Sequence, residues 1–152
     1  MMKLKRNKIT RIYTIIISMM CILGMSCIAY AEYQMTAFSY YGYHAGYSYR
    51  TAGLDKKNDS PAVVSYISGP AATVNVEVWG SDAPSGDALN LTINGSLDYY
   101  TVSKGYYMTL HNTVYEHYIG SGFGKLARAS LRIYTYDGWN GYINGQWSPY
   151  TE

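Results

Sequence analysis

The sequence predicts an all-β domain, an antiparallel β-sandwich or a jelly-roll-like arrangement of two sheets. Three observations point there. Apolar and polar residues alternate at period two in several short runs, turn signals separate those runs at short intervals, and no segment carries a convincing amphipathic helical pattern.

Val74, Val76 and Val78 alternate with Asn75, Glu77 and Trp79, as a half-buried strand requires, and Ala62–Ser68 is a β-branched run closed by Gly69-Pro70. Ser81–Ala88 holds Pro84 and Gly86 and reads as a loop. Leu89, Leu91 and Ile93 alternate again, and Asn94-Gly95 between them and Leu97–Val102 is a strong hairpin signal, both residues taking positive φ in a type I′ turn. Ser103-Lys104-Gly105 returns the chain into a strand over Tyr106–Tyr115. Leu126–Tyr136 forms the next strand, with Lys125–Arg132 read as β despite a composition that tolerates helix. A last short hairpin is expected at Asn144-Gly145.

Residues 1–31 read as an export signal: a basic stretch from Lys3 to Arg11, an apolar run from about Ile15 to Cys27, and Ala29-Tyr30-Ala31 as the small-x-small cleavage pattern. Cleavage between Ala31 and Glu32 leaves a single domain, 32–152, without cysteine, since Cys21 and Cys27 leave with the signal. An extracellular location follows, with the membrane met only during export; an uncleaved signal would instead leave the domain anchored to the envelope. Of the twelve bases, five lie in the signal, so seven face ten acids in the mature chain. Those seven are scattered in sequence, without the dense basic stripe a nucleic-acid binder uses, and no nucleic-acid partner is expected.

Tyrosine dominates the aromatic content, with 19 residues against 2 phenylalanines and 3 tryptophans. That preference expects many rings at the boundary of core and surface, each with its hydroxyl at a polar partner. Tyr40–Tyr49 is nearly mirror-symmetric about Ala45. A hairpin turning through His44-Ala45-Gly46 would set Tyr43 opposite Tyr47 and Tyr41 opposite Tyr49, four rings on one face, to grip a sugar ring or peptide or to lie against the core. Trp139 stands in the turn-rich Asp137–Gly141, where a ring is hard to bury. Trp147 either joins it as a partner-binding ring or closes one end of the core. Tyr43, Tyr47, Trp139 and Trp147 are thus the candidate partner-binding residues.

No catalytic constellation emerges, and the chain is expected not to be an enzyme. His111 and His117 share parity on one extended strand but would stand roughly 20 Å apart, so neither a metal site nor any other cofactor is expected. Gly120–Lys125 departs from the phosphate-loop spacing at both Ile119 and Leu126. Glu77, Asp98, Glu116 and Asp137 are carboxylates that nothing in the sequence pairs as a glycosidase would need.

Ser48–Thr51, Val76–Ser81 and Gly145–Pro149 together resemble small exported proteins of Gram-positive bacteria grouped as a domain of unknown function, some of which look like neighbours of the lactococcin-type bacteriocins. Pro149-Tyr150 departs from that pattern, where an acidic residue is expected after the proline. The resemblance implies a secreted β-sandwich and assigns no catalytic residue. Two function classes stay open: a non-catalytic module that meets a cell-wall or glycan component, or another cell surface, through tyrosine and tryptophan, and a passive, self-associating envelope or matrix protein. A secreted glycan-active enzyme ranks third.

Overall fold

Valine-rich strands with one apolar face pair into two antiparallel sheets that close on a shared core. The computed structural model describes residues 35–42, 48–83, 87–120, 126–135 and 140–151, all within one compact unit, Tyr33–Glu152. The expected signal and its cleavage site at Ala31 and Glu32 lie outside the described residues. In chain order the strands are β1 (Thr36–Gly42), β2 (Ser48–Arg50), β3 (Leu54–Asp55), β4 (Ala62–Ser68), β5 (Thr73–Ser81), β6 (Leu89–Asn90), β7 (Tyr100–Ser103), β8 (Tyr107–Leu110), β9 (Arg128–Tyr134) and β10 (Gly141–Ser148).

The first sheet runs β1-β10-β4-β8 and the second β2-β9-β5-β6, with β3 also pairing β9 and β7 also pairing β5. The predicted sandwich is therefore what forms. Phe38, Tyr40, Val64, Tyr66, Ile143 and Trp147 line the inner side of the first sheet; Val74, Val76, Val78, Val102, Leu131 and Ile133 line that of the second. Tyr40 and Tyr49 stack across the two sheets with ring centroids 3.6 Å apart. Burying each of these valines, leucines and isoleucines contributes about 1.5–3 kcal/mol.

Five local expectations are corrected. Tyr40–Tyr49 is not a hairpin: β1 pairs β10 in one sheet while β2 pairs β9 in the other, so Tyr41 faces Tyr142 and Tyr49 faces Ile133. At Asn94-Gly95 the turn sits one residue later. Asn94 bridges Leu97, Leu97 donates to the Asn94 carbonyl, and Gly95 alone of the turn takes positive φ, +60°, which is the pattern of a II′ turn centred on Gly95-Ser96. Leu89 and Ile93 are half exposed, because only Leu89–Asn90 pairs as a strand. The strand expected to reach Tyr115 ends at Leu110, and His117 belongs to a π-helical turn, Glu116–Gly120, so His111 and His117 do not share one strand. Finally, Asn144-Gly145 does not turn; it lies inside β10 at a register shift against β4. A Cβ on Gly145 would meet the Phe38 ring and the Ser65 carbonyl, so glycine serves close approach there.

Candidate functional site

Since Val74, Val76 and Val78 point into the core, Asn75, Glu77 and Trp79 must point to the outer face of the second sheet. Register then brings distant segments beside them. Arg50 of β2 stands opposite Arg132 of β9, and Arg132 opposite Glu77 of β5. On one side of that row Ser130 faces Trp79; on the other Ser48, Tyr134, Asn75 and Thr101 form the next row. The face so built is polar and aromatic, with no aliphatic residue in these rows.

Its centre is a cation–π cluster. The guanidinium carbons of Arg50 and Arg132 lie 5.5 and 5.6 Å from the Trp79 ring centroid, and that of Arg132 lies 5.4 Å from the Tyr134 ring. Each contact at an exposed site contributes about 0.5–1 kcal/mol. Tyr99 continues the series with its ring edge-on to Tyr134 at 6.3 Å. Both arginines are fixed by their inner nitrogens: Arg50 Nε donates to Ser130 Oγ at 2.8 Å, and Arg132 Nε to Ser48 Oγ at 3.1 Å. Glu77, with a side chain only 6% exposed, accepts from Trp79 Nε1 at 2.5 Å and pairs with Arg132 Nη1 at 3.5 Å. A carboxylate so enclosed is tolerable because it is paired and hydrogen-bonded.

Trp147 is not a partner-binding residue in this fold. It is 1% exposed, sits opposite Thr36 and Val64 on the inner side of the central strand β10, and closes the core. Tyr43, Tyr47 and Trp139 lie outside the described residues. The aromatic surface that sequence reasoning missed is Trp79 with Tyr134. Their outward parity was readable, but which strands flank β5 was not.

Two other features are chemically distinct. A cleft of about 340 Å³ is lined by Thr36, Leu54, Asp55, Lys57, Arg128, Pro149 and Tyr150. There Arg128 pairs with Asp55 at 3.2 Å and donates to the Gly53 carbonyl at 2.5 Å. Lys56 is buried and donates to the Ser60 carbonyl; burial lowers its pKa to about 8, against the opposing pull of Glu116 and Asp59. Among the described residues no three His, Cys, Asp or Glu side chains gather as a metal would need. Comparison of the chain with family models, with curated proteins and with solved structures finds no match.

Proposed function

We propose that the protein is an exported, non-catalytic binding module that attaches to a cell-envelope component through the outer face of its second sheet. The resemblance to small exported proteins supports only the exported, non-catalytic part of this reading. The observation that carries the reading is the Arg50–Trp79–Arg132 cluster. It holds two guanidiniums and an indole rigidly at a surface, where they offer contact area and hydrogen-bond donors at little entropic cost. Its carboxylate, Glu77, is committed to Trp79 and Arg132, which suits holding a ligand rather than transferring a proton.

Retention of the purified protein on isolated Gram-positive envelopes tests the reading. Trp79→Ala and Arg50→Ala should each lower retention about tenfold, the loss expected for one anchoring contact of about 1.4 kcal/mol. Arg50 is exposed, so its variant should melt only slightly below the wild type, through loss of one cation–π contact and the bond to Ser130. Normal retention by both variants, or no retention of the wild type, contradicts the proposal. A lawn-inhibition assay asks separately whether attachment harms the target cell.

A second reading, a self-associating envelope or matrix protein, draws on Tyr106 and Tyr107, each 68% exposed at the edge strand β8. Concentration-dependent sedimentation that Tyr107→Ser abolishes would favour it.

A further inference from the structure

We infer that the ligand of this face is an anionic wall polymer, a chain with repeated phosphate or carboxylate groups, with its oxyanions on Arg50 and Arg132 and its apolar segments on Trp79 and Tyr134. The inference rests on the reading of the face as the binding site and names what it binds.

The first argument is the like-charge pair. Arg50 and Arg132 are direct cross-strand neighbours, an arrangement that is destabilising between like charges. Glu77 offsets it for one of them only: it pairs with Arg132, while Arg50 has no carboxylate partner among the described residues. The cluster thus carries two positive charges against one negative. An oxyanion supplies the missing countercharge.

The second argument is geometric. Ser130 and Ser48 hold the Nε atoms, and the guanidinium carbons of Arg50 and Arg132 lie over the Trp79 and Tyr134 rings, 5.5 and 5.4 Å from their centroids. Both nitrogens of the Arg50 terminus are left without a partner among the described residues, as is Nη2 of Arg132. A guanidinium fixed in this way presents a planar donor edge that matches carboxylate and phosphate, and less conformational freedom is lost when the bond forms. Guanidinium and ring alternate from Arg50 through Trp79 and Arg132 to Tyr134, so the face suits a chain in which charged and apolar groups alternate. A neutral glycan offers hydroxyl acceptors but no countercharge, and so only the weaker, uncharged hydrogen bonds.

Nucleic acid is also a polyanion, and with seven bases against ten acids the mature domain offers little long-range attraction to either polymer, so recognition rests on the local Arg50–Trp79–Arg132 cluster and the oligonucleotide arm of the test separates the two.

The test is calorimetric titration of the full protein with four probes: poly(glycerol phosphate), polygalacturonate, a neutral glucan and a single-stranded oligothymidylate. The first two distinguish phosphate from carboxylate as the source of the oxyanion. At least one should bind about tenfold or more tightly than the glucan and the oligonucleotide, and binding should weaken as salt rises. Three variants separate a binding role from a structural one. Arg50→Ala should lose about tenfold, and Arg50→Lys should recover only part of it because the planar donor edge is gone. Glu77→Gln, which removes the negative charge, should tighten polyanion binding even if it lowers the melting temperature. A purely structural cluster would not produce that gain. Equal affinity for the glucan, equal affinity for the oligonucleotide, or Glu77→Gln binding no tighter than wild type overturns the inference. If none of the polymers binds while intact envelopes still retain the protein through Arg50, the ligand class is wrong and the binding face stands; if envelopes do not retain it either, the face itself is wrong.

Discussion

Lys56 is 3% exposed, an unusual place for an ammonium, and its Nζ is satisfied by the Ser60 carbonyl rather than by a close carboxylate. Burial outweighs the attraction of Glu116 and Asp59 and brings the pKa from 10.5 down to about 8. Below about pH 8 the lysine is protonated in both folded and unfolded chains, and folding bears the full cost of burying the charge. Between about 8 and 10.5 the unfolded chain binds the extra proton, so stability rises with pH, at most by about 1.4 kcal/mol per pH unit. Tyr40, Tyr66 and Tyr118 act in the opposite sense. Burial raises their phenols above 10.0, so the unfolded chain loses those protons first and stability falls at higher pH. Urea midpoints should therefore climb from about pH 7.5 to about 9.5 and turn down above about 10. Lys56→Met should abolish the climb and keep the fall. A wild type that is flat through the climb, or a methionine variant that still climbs, contradicts this account of Lys56.

Among the elements, β10 holds the first sheet together, lying between β1 and β4 with Ile143 and Trp147 turned inward. At Gly145 both of its neighbours come close. Gly145→Ala would drive a methyl into the Phe38 ring on one side and the Ser65 carbonyl on the other, and the carbonyl belongs to backbone that cannot swing away. The variant should lose about 1–3 kcal/mol, read as a lower urea midpoint at unchanged slope; an unchanged midpoint would mean that the strand has room at Gly145. The same residue shows why part of the fold was hidden in the sequence. Asn-Gly is a local turn signal, and it led to Gly95, where positive φ is used, but the tight contact at Gly145 comes from two other strands. Period-two alternation made β5 and β9 legible, and the β-branched run closed by Gly69-Pro70 did the same for β4. The mirror-like tyrosine run suggested a hairpin, since its local symmetry carries no information that β1 and β2 enter different sheets.

For the whole molecule, the decisive event is the pairing of β2, β9 and β5, which places Arg50 and Arg132 beside Trp79 from segments far apart in the chain. Charge scattered along the sequence is thereby gathered on one face, and the proposed binding adds guanidiniums to the rings that the sequence alone put forward. Tryptophan serves two different ends in this architecture. Trp147 fills the core, and Trp79 forms the surface. The indole N–H signals of a ¹⁵N-labelled sample, assigned by single Trp→Phe variants, separate these roles during titration with a solubilised envelope polymer. The account predicts that the Trp79 signal and the Arg50 and Arg132 Nε–H signals shift saturably together, while the Trp147 signal stays in place. Saturable binding that moves the Trp139 signal, or any other region, and leaves Trp79 and both arginines unmoved would contradict it.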